Sequence, residues 1–388
     1  MTQAYAVIKE ENFLPAICGR ICSAPCEVAC ILNDEGSPIG IRALERFAAD
    51  HGKGRADKRQ EIFRKGKKVA VIGSGPAGLS AAYFLARKGY SITIFESLDK
   101  PGGVLRYGIP EFRIPKKVLD AEIHDIMKLG VEIKTNIFIG RTLTLEELQA
   151  QGYAAILIAT GAGVPKFMDL KGDNLGGVYY GEEFLMRINW DKKAMSNSSG
   201  PNFILGDRVA VIGSGNTAMD CARAARRFNR EIHLIFRRTE EEMRVRGEDR
   251  NFAIEEGIKL EPLVKPLEIL ADQNNFVSGL KCIRMDYAEG SKEGEWELKP
   301  VPDSEFIMDV NSVVIAIGHN PNSSLGDKGS YKLKRRGDGS IWTEDNTGMT
   351  SVEGIFAAGN VASNAGPVVE ALASGKKSAD TIDKYLTA

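Results

Sequence analysis

The seven-residue segment VAVIGSG occurs twice in this chain, at residues 69–75 and at residues 209–215. In each copy an apolar run precedes the glycines, small residues follow them, and a second apolar run comes next. This order is typical of a strand, a glycine turn, a helix and a second strand. The copies are too far apart for a solenoid repeat, so the sequence predicts an α/β protein with two Rossmann-like dinucleotide-binding domains.

The first copy continues as a complete dinucleotide-binding fingerprint, GSGPAG, from Gly73 to Gly78. Gly73 permits the tight turn, Gly75 lets a pyrophosphate approach the backbone, and Gly78 lets the helix pack on the strand. Ala77 lies inside the same turn, and Glu96 closes the second strand, where a carboxylate can bind a ribose diol. The helix N-terminus would face the phosphates, so this segment predicts a dinucleotide site.

The second copy keeps Gly213 and Gly215 but has Ala218 at the third glycine position. Its second strand ends in Arg237 and Arg238 rather than in an acid. Two guanidinium groups suit the dianionic 2′-phosphate of NADPH, which a carboxylate would repel. The sequence therefore favours NADPH here, with NADH still possible. The alternative is that one of the arginines only forms a surface salt bridge.

Two dinucleotide sites indicate two dinucleotides, one held permanently and one exchanging. FAD and NADPH fit this pairing because hydride passes between them without a protein nucleophile. Residues 60–388 contain no CxxC motif, and Cys221 and Cys282 each stand alone. A dithiol relay to a disulfide substrate is therefore disfavoured, and we predict no catalytic side chain.

Composition places the chain among globular proteins of more than one domain. It has 388 residues, a formal net charge of −1 and six cysteines, so neither nucleic-acid binding nor a disulfide scaffold is indicated. The first residues lack a signal-peptide pattern, and no apolar run approaches the length of a membrane span. We expect a cytoplasmic protein, with a domain boundary near Lys65 after a charged stretch and a flexible loop over residues 189–203.

Further segments carry a family resemblance. They are PGGVLRYGIPEFRIPKKVLDAEIHDIMKLGVE, the ATG of residues 159–161, the AIG of residues 316–318, RRTEEEM and the closing GIFAAGN. In these segments the chain resembles the glutamate synthase small-subunit family, over residues 13–388. The same module is similar to the N-terminal half of dihydropyrimidine dehydrogenase and to the large subunit of NADH-dependent ferredoxin:NADP oxidoreductase.

The resemblance implies an NAD(P)H domain inserted into an FAD domain, with a small helical iron–sulfur domain before both. The implied iron–sulfur domain covers residues 1–65. The FAD-binding domain would be discontinuous, over residues 66–165 and 314–388, and the NAD(P)H-binding domain would cover residues 166–313.

The resemblance also implies roles for individual residues. The adenosine half of FAD would be held by Gly73, Gly75, Gly78 and Glu96. The flavin would pass along Gly103, Leu105, Arg106, Thr160 and Gly161. The ribityl chain and the ring would be held by Gly359, Asn360, Gly366, Pro367 and Val368. The nicotinamide dinucleotide would be held by Gly213, Gly215, Asn216, Thr217, Arg237 and Arg238. Relatives usually carry aspartate in place of Asn360, yet an amide oxygen can still accept a hydrogen bond from a ribityl hydroxyl.

Four cysteines follow one another at intervals of four residues, at Cys18, Cys22, Cys26 and Cys30. On one straight helix the outer two would be about 18 Å apart, too far to share a metal cluster. We expect Gly19 and Pro25 to interrupt such a helix, so that the chain wraps and brings the thiolates together. Four thiolates near a flavin favour a 4Fe–4S cluster that takes single electrons, with a structural zinc or free thiols as alternatives.

In the resembling family two 4Fe–4S clusters are usual, and a further cysteine motif upstream shares ligands with this one. That motif is not part of the present sequence. Either the four cysteines close one cluster alone, or a ligand comes from elsewhere, such as a partner subunit. Glu45 matches a position where relatives use glutamine or glutamate as a ligand, although it could equally be an ordinary exposed helix carboxylate.

Together these features predict a flavoprotein electron-transfer subunit. It would move electrons between NAD(P)H and an iron–sulfur partner or a ferredoxin, through FAD and the N-terminal cluster. Two alternatives are a flavin-dependent disulfide reductase or diaphorase, and a non-enzymatic scaffold subunit with remnant cofactor sites. The missing CxxC motif disfavours the first alternative, and the intact glycine fingerprints disfavour the second.

Overall fold

The computed structural model describes most of the chain: residues 1–52, 64–190, 204–290, 296–321, 325, 331–345, 347–363 and 366–388. Most of the loop predicted over residues 189–203, and most of the charged stretch before Lys65, lie outside the described residues. In these ranges no helix is both long enough and apolar enough to cross a bilayer.

The chain divides into two compact units. The first contains Met1–Arg106, Glu111–Val164 and His319–Ala388, and the second contains Tyr107–Pro110 and Pro165–Gly318. The second unit is thus inserted into the sequence of the first. Each unit is built around its own five-stranded sheet, which confirms the predicted α/β fold with two Rossmann-like domains.

The first unit begins with helices that carry the cysteine segment. They are α1 (Thr2–Glu11), α2 (Pro15–Ile21), α3 (Pro25–Val28), a 3₁₀ helix (Ile31–Glu35) and α4 (Ile41–Gly52). Prolines begin both α2 and α3 because the first helical position needs no backbone N–H.

Gly19 does not interrupt a helix, so that part of the expectation is wrong. It lies inside α2, which continues to Ile21. A Cβ at Gly19 would lie 2.6 Å from the Cα of Arg46 in α4. Gly19 therefore allows the backbones of α2 and α4 to pack closely. The helical segment is interrupted instead between Ile21, where α2 ends, and Pro25, where α3 begins.

The sheet of the first unit consists of β1 (Lys68–Ile72), β2 (Ser91–Phe95), β3 (Glu132–Lys134), β4 (Tyr153–Ile158) and β15 (Ile355–Ala357). The strand order is β15-β4-β1-β2-β3, and all neighbours are parallel. Its helices are α5 (Pro76–Arg87), α6 (Val104–Tyr107), α7 (Lys116–Met127), α8 (Leu145–Ala150), α12 (Asn360–Ser363) and α13 (Val368–Thr387). The central strands are buried almost throughout, as expected of a parallel sheet covered on both faces.

The parallel sheet of the second unit consists of β6 (Val178–Tyr180), β7 (Arg208–Ile212), β8 (Glu231–Ile235), β9 (Lys259–Glu261) and β13 (Ser312–Ile315). Its order is β6-β13-β7-β8-β9. The helices are α9 (Gly181–Trp190), α10 (Asn216–Arg226) and α11 (Gly247–Glu255). An antiparallel sheet of β10 (Val264–Ala271), β11 (Val277–Glu289) and β12 (Trp296–Met308) completes this unit. Two short strands, β5 (Val164–Pro165) and β14 (His319–Asn320), lie where the sequence passes between units.

The N-terminal helices pack on α5 and α7 within the first unit. The Phe13 ring stacks on Tyr83 with centroids 5.3 Å apart and meets Phe84 edge-on at 6.4 Å. Lys9 reaches the buried Glu122 of α7, with 3.6 Å between Nζ and Oε2. Phe13 is 1% exposed, so these helices share a core with the first sheet domain.

The last helix, α13, is anchored by an ionic network around Asp383. The carboxylate accepts hydrogen bonds from Lys65 Nζ at 2.6 Å, Tyr90 Oη at 2.7 Å and Lys88 Nζ at 3.1 Å. Partial burial opposes ionisation, but the bonds from Lys65, Tyr90 and Lys88 outweigh it and lower the pKa of Asp383 to about 2.

We expect Asp383→Asn to lower the free energy of unfolding by about 1 kcal/mol at pH 7, because solvent screening leaves less than the pKa shift alone would give. Because the pKa in the folded chain is below the ordinary value of 3.8, the carboxylate stabilises the fold above pH 4 and loses that effect between about pH 4 and pH 2. Urea unfolding at pH 7 and pH 3 measures this, and the difference between variant and wild type should shrink at pH 3. A difference that stays constant between the two pH values would contradict the assignment.

Candidate functional site

The first glycine turn forms an open cradle at the carboxyl end of β1. Gly73 has φ +100°, which favours glycine, and its backbone packs on the end of β4: a Cβ there would lie 2.5 Å from the Ala159 carbonyl oxygen. A Cβ on Gly78 would overlap the Gly73 carbonyl oxygen. A Cβ on Gly75, in contrast, would meet no atom within 4 Å. The open space therefore lies at Gly75, beside the N-terminus of α5, where a pyrophosphate fits.

Parallel pairing brings the predicted flavin-site residues of the first unit to one edge of its sheet. Gly73, Glu96, Thr160 and Gly359 each follow the carboxyl end of a strand, at β1, β2, β4 and β15 respectively. Open α/β sheets bind ligands outside the carboxyl ends of their strands. Thr160 is exposed there, and Gly161 follows it with φ +71°.

Glu96 has a second role that the sequence did not indicate. It is 5% exposed, and its Oε2 accepts hydrogen bonds from the backbone N–H of Ser74, at 3.0 Å, and from the Ser74 hydroxyl. Its Oε1 accepts from the Leu98 N–H at 2.9 Å. The Glu96 carboxylate thus stabilises the conformation of the glycine turn. A ribose diol would bind to a carboxylate that these hydrogen bonds already orient.

The segment after β2 is placed against the cradle by Gly103. A Cβ on Gly103 would lie 2.8 Å from the Gly75 Cα, so the segment touches the turn directly. Leu105 is fully buried, whereas Val104 exposes 42% of its surface. Arg106 is 8% exposed and binds the Pro101 carbonyl and Asp120 through its guanidinium group. Leu105 and Arg106 are therefore buried inside the protein, where their contacts stabilise the conformation of this segment.

Asn360 connects the strand β15 to the start of α13. Its Oδ1 accepts from the Gly366 N–H at 3.2 Å, and its Nδ2 donates to the Gly366 carbonyl at 3.4 Å. An aspartate could accept but not donate, so the amide suits this double contact. Pro367 caps α13 and Val368 begins it, which leaves the N-terminal backbone N–H groups of α13 at this edge.

The second glycine turn repeats the geometry of the first in the other unit. Gly213 has φ +140° and packs on the Ala316 carbonyl and on Ala218, whose Cβ would lie 3.1 Å from a Cβ at Gly213. A Cβ on Gly215 would meet no atom within 4 Å. Asn216 and Thr217 form the first turn of α10 directly behind that open position.

The arginines after β8 follow the next strand along the same edge of the sheet. Arg237 and Arg238 are exposed, and Arg238 Nη1 lies 3.8 Å from Glu242 Oε1. Glu242 also accepts a 3.1 Å hydrogen bond from the Thr239 N–H. Within the described part of the chain, Arg237 and Arg244 have no charged partner. Cationic groups are therefore available where a 2′-phosphate would lie.

The four thiols occupy a wrapped segment, as the sequence predicted, although they are not gathered together. Cys18 lies in α2 and is buried, Cys22 follows α2, Cys26 lies exposed in α3, and Cys30 precedes the 3₁₀ helix. Among the residues that the structure describes, no group of three or more His, Cys, Asp or Glu side chains is placed to hold a metal ion. The donor chemistry fits an iron–sulfur cluster, for which cysteine thiolate is the usual ligand.

Glu45 lies near the buried end of this segment and is not an ordinary exposed carboxylate. Burial raises the pKa of Glu45, partly offset by a 2.6 Å hydrogen bond from Asn12 Nδ2. The Asn12 Oδ1 lies 3.7 Å from the Cys18 sulfur. Burial, followed by the nearby Glu45, raises the pKa of Cys18 to about 12. Asn12 thus links Glu45 to the thiol segment, a connection that the sequence did not indicate.

Two family profiles match the chain. One, described as pyridine nucleotide-disulphide oxidoreductase, matches residues 67–375. The chain belongs to this family. The other, described as dihydropyrimidine dehydrogenase domain II with a 4Fe-4S cluster, matches residues 1–56. The two matches confirm the predicted enzyme class and the predicted set of FAD, pyridine nucleotide and 4Fe–4S cluster.

Curated relatives extend this assignment. The beta subunit of NADP(+)-dependent formate dehydrogenase from Moorella thermoacetica is 38% identical, over 99% of this chain and 56% of that protein. The beta subunit of NADPH-Fe(3+) oxidoreductase from Geobacter sulfurreducens is 34% identical, over 98% of this chain and 59% of that protein. The glutamate synthase [NADPH] small chain of Escherichia coli is 33% identical, over 99% and 83%. The resemblance to the small-subunit family is confirmed, while the chain spans little more than half of the two beta subunits.

Solved structures share the fold. Mycobacterium tuberculosis FprA in complex with NADPH has a TM-score of 0.66 at 17% identity, covering 83% of this chain and 85% of FprA. The thioredoxin reductase of T. acidophilum has a TM-score of 0.61 at 20% identity, covering 83% of this chain and 100% of the reductase. Both likenesses concern the two-domain dinucleotide-binding architecture.

Proposed function

We propose that this chain oxidises NADPH and delivers the electrons to an iron–sulfur partner, by way of FAD in the first unit and a 4Fe–4S cluster on the cysteine segment. One observation carries the proposal: a chain with two open glycine cradles also holds four closely spaced thiols in the same unit as the first cradle. Flavin and cluster together allow a two-electron donor to supply a one-electron acceptor.

The protein's part in this reaction is to bind and orient. At the first cradle, the N-terminal N–H groups of α5 would hold the pyrophosphate of FAD and Glu96 would hold a ribose diol. Asn360 and the N-terminus of α13 would hold the ribityl chain and the ring. Hydride transfer needs no protein acid or base, so we assign none.

The second cradle would hold NADPH rather than NADH. Gly215 leaves room for the pyrophosphate at the N-terminus of α10. Arg237 and Arg238 would bind the 2′-phosphate by charge-assisted hydrogen bonds, with Arg244 close by in sequence. The names of three relatives that match nearly the whole chain include NADP or NADPH, which supports this choice.

The cluster would be held by Cys18, Cys22, Cys26 and Cys30. Glu45 and Asn12 would lie against its buried side. An iron–sulfur subunit or a ferredoxin would take the electrons, because the relatives include subunits of a formate dehydrogenase and an Fe(3+) oxidoreductase. A cytoplasmic location for this assembly remains a prediction from the sequence.

A diaphorase or disulfide reductase is the second candidate, favoured by the likeness to a thioredoxin reductase fold. Outside the cysteine segment the chain has only Cys221 in α10 and Cys282 in β11, both buried. Burial raises the pKa of Cys282 to about 12 and that of Cys221 well above its ordinary range. Neither thiol is suited to attack a disulfide.

The deciding experiment is anaerobic purification and cluster reconstitution of the full chain, followed by iron analysis and spectroscopy. We expect flavin absorbance, about four iron atoms per chain, a reduced-cluster EPR signal with dithionite, and flavin bleaching by NADPH. Cys26→Ser should lose the EPR signal and keep the flavin, because Cys26 is exposed and its replacement leaves the core intact.

Cys282→Ala serves as the matched control, since it removes a cysteine outside the segment and should keep both signals. Flavin without iron in the reconstituted wild type would favour the diaphorase. A colourless wild type would overturn the proposal altogether.

A further inference from the structure

The antiparallel sheet of the second unit is bonded to the arginine segment, which we define as residues 236–238, directly after β8. The Phe236 carbonyl accepts a hydrogen bond from the first N–H of β10 at 3.1 Å, and the Arg238 carbonyl accepts one from the Leu263 N–H at 3.1 Å. The Leu263 carbonyl in turn accepts from the Met285 N–H of β11 at 2.7 Å. The backbone of the arginine segment is therefore fixed to β10 and, through Leu263, to β11.

Leu263 adopts a strained backbone conformation in this arrangement. Its φ is +54°, in the left-handed region that leucine rarely occupies. A residue persists in such a conformation only where the surrounding contacts determine it. Here a single residue between β9 and β10 donates to Arg238 and accepts from β11. The contacts of the arginine segment with the sheet are therefore strong enough to hold a strained turn.

Tyr287, two residues further along β11 than Met285, fixes a side chain in the loop that follows the arginines. Its hydroxyl donates to Glu242 Oε2, and the same oxygen accepts from the Thr239 N–H at 3.1 Å and from the Thr239 hydroxyl at 3.5 Å. The other carboxylate oxygen, Oε1, lies 3.8 Å from Arg238 Nη1. One oxygen of Glu242 therefore joins the loop to the sheet, and the other faces the guanidinium group of Arg238.

The orientation of Glu242 determines how Arg238 meets an anion. A carboxylate that turned freely would compete with a 2′-phosphate for the arginine and repel the phosphate. Because Thr239 and Tyr287 hold Oε2, Glu242 meets the guanidinium group through Oε1, at Nη1. A guanidinium group has five N–H donors, so one contact at Nη1 leaves donors for a phosphate. Orienting the group before the ligand arrives also lowers the entropic cost of binding.

We propose that Glu242, held in place by Tyr287, is a positioning residue that orients Arg238 toward the 2′-phosphate of NADPH. This inference rests on the proposed function, which places that phosphate at Arg237 and Arg238. It gives the antiparallel sheet a part in selecting the nucleotide, through side chains that act on the ligand by way of Arg238.

The test measures KM and kcat of the flavin-loaded chain for NADPH and for NADH, with ferricyanide as the electron acceptor. Glu242→Ala removes both carboxylate contacts, and we expect the KM for NADPH to rise by about 10-fold. Tyr287→Phe removes only the hydroxyl that holds Glu242, and we expect a rise of about 3-fold. In both variants kcat and the KM for NADH should change by less than about 2-fold, because NADH has no 2′-phosphate.

A double-mutant cycle tests whether Glu242 acts through Arg238. In a chain that already carries Arg238→Ala, adding Glu242→Ala should raise the KM for NADPH by less than about 2-fold, because the group that Glu242 orients is gone. Glu305→Ala is the matched control. It removes an ion pair with Lys281, 2.6 Å between Nζ and Oε2, that joins β11 and β12 of the same sheet, and it should change neither KM.

Three results would overturn the inference. They are an unchanged or lower KM for NADPH in Glu242→Ala, equal rises in KM for NADPH and NADH, and additive losses in the double-mutant cycle. A wild type without any preference for NADPH over NADH would instead refute the 2′-phosphate site of the proposed function.

Discussion

Gly75→Val should give a folded chain that has lost its flavin. The backbone at Gly75 is extended, with φ −70° and ψ −176°, so a valine is compatible with the turn. No protein atom lies within 4 Å of a Cβ there, so the side chain would enter only the space that a pyrophosphate needs. Losing close contacts to a charged group costs about 3 kcal/mol, which corresponds to a loss of at least about 100-fold in FAD affinity.

The measurement is the ratio of flavin to protein after purification with added FAD, with circular dichroism to verify the fold. Gly215→Val is the matched variant in the other unit, where the backbone is likewise extended and the position is open. It should keep the flavin and lose binding of NADP⁺. A fully flavinated Gly75→Val protein would show that the cradle is not the FAD site.

Arg237→Ala combined with Arg238→Ala should convert the chain from an NADPH-selective protein into one with little preference. Each charge-assisted hydrogen bond contributes about 1.5–3 kcal/mol, so the KM for NADPH should rise by about 100-fold or more. The KM for NADH should change by less than about 3-fold, because NADH has no 2′-phosphate.

Steady-state reduction of ferricyanide with each nucleotide measures the effect. Arg208→Ala is the control, since this partly exposed arginine, paired with Asp309, lies at the amino end of β7, on the opposite edge of the same sheet. If the double variant lost NADH activity as strongly as NADPH activity, the result would show that the arginines stabilise the fold of the second unit and do not bind the 2′-phosphate selectively.

The features predicted best from the sequence are those that depend on residues close together along the chain. The two glycine turns, the strands before them and the start of α13 follow from local backbone preferences, so their positions could be inferred from motif and spacing. Gly19 was misjudged because its role depends on Arg46, which comes close only after α2 and α4 pack.

Contacts between distant residues could not be inferred in this way. The hydrogen bonds from Ser74 to Glu96 join a turn to the end of another strand. The hydrogen bond from Asn12 to Glu45 joins the residue after α1 to α4. The spacing of residues along the sequence does not indicate which distant residues come into contact in the folded chain.

The packing of Phe13 against Tyr83 and Phe84, with Lys9 reaching Glu122, has a consequence for the rate of electron tunnelling. The helices that carry the thiols belong to the same compact unit as the first cradle. The separation between a cluster on the thiols and a flavin in that cradle would therefore be set within one unit, by the packing of the N-terminal helices on α5 and α7. Trimming Phe13 would remove its ring contacts with Tyr83 and Phe84 and so weaken the packing that sets this separation.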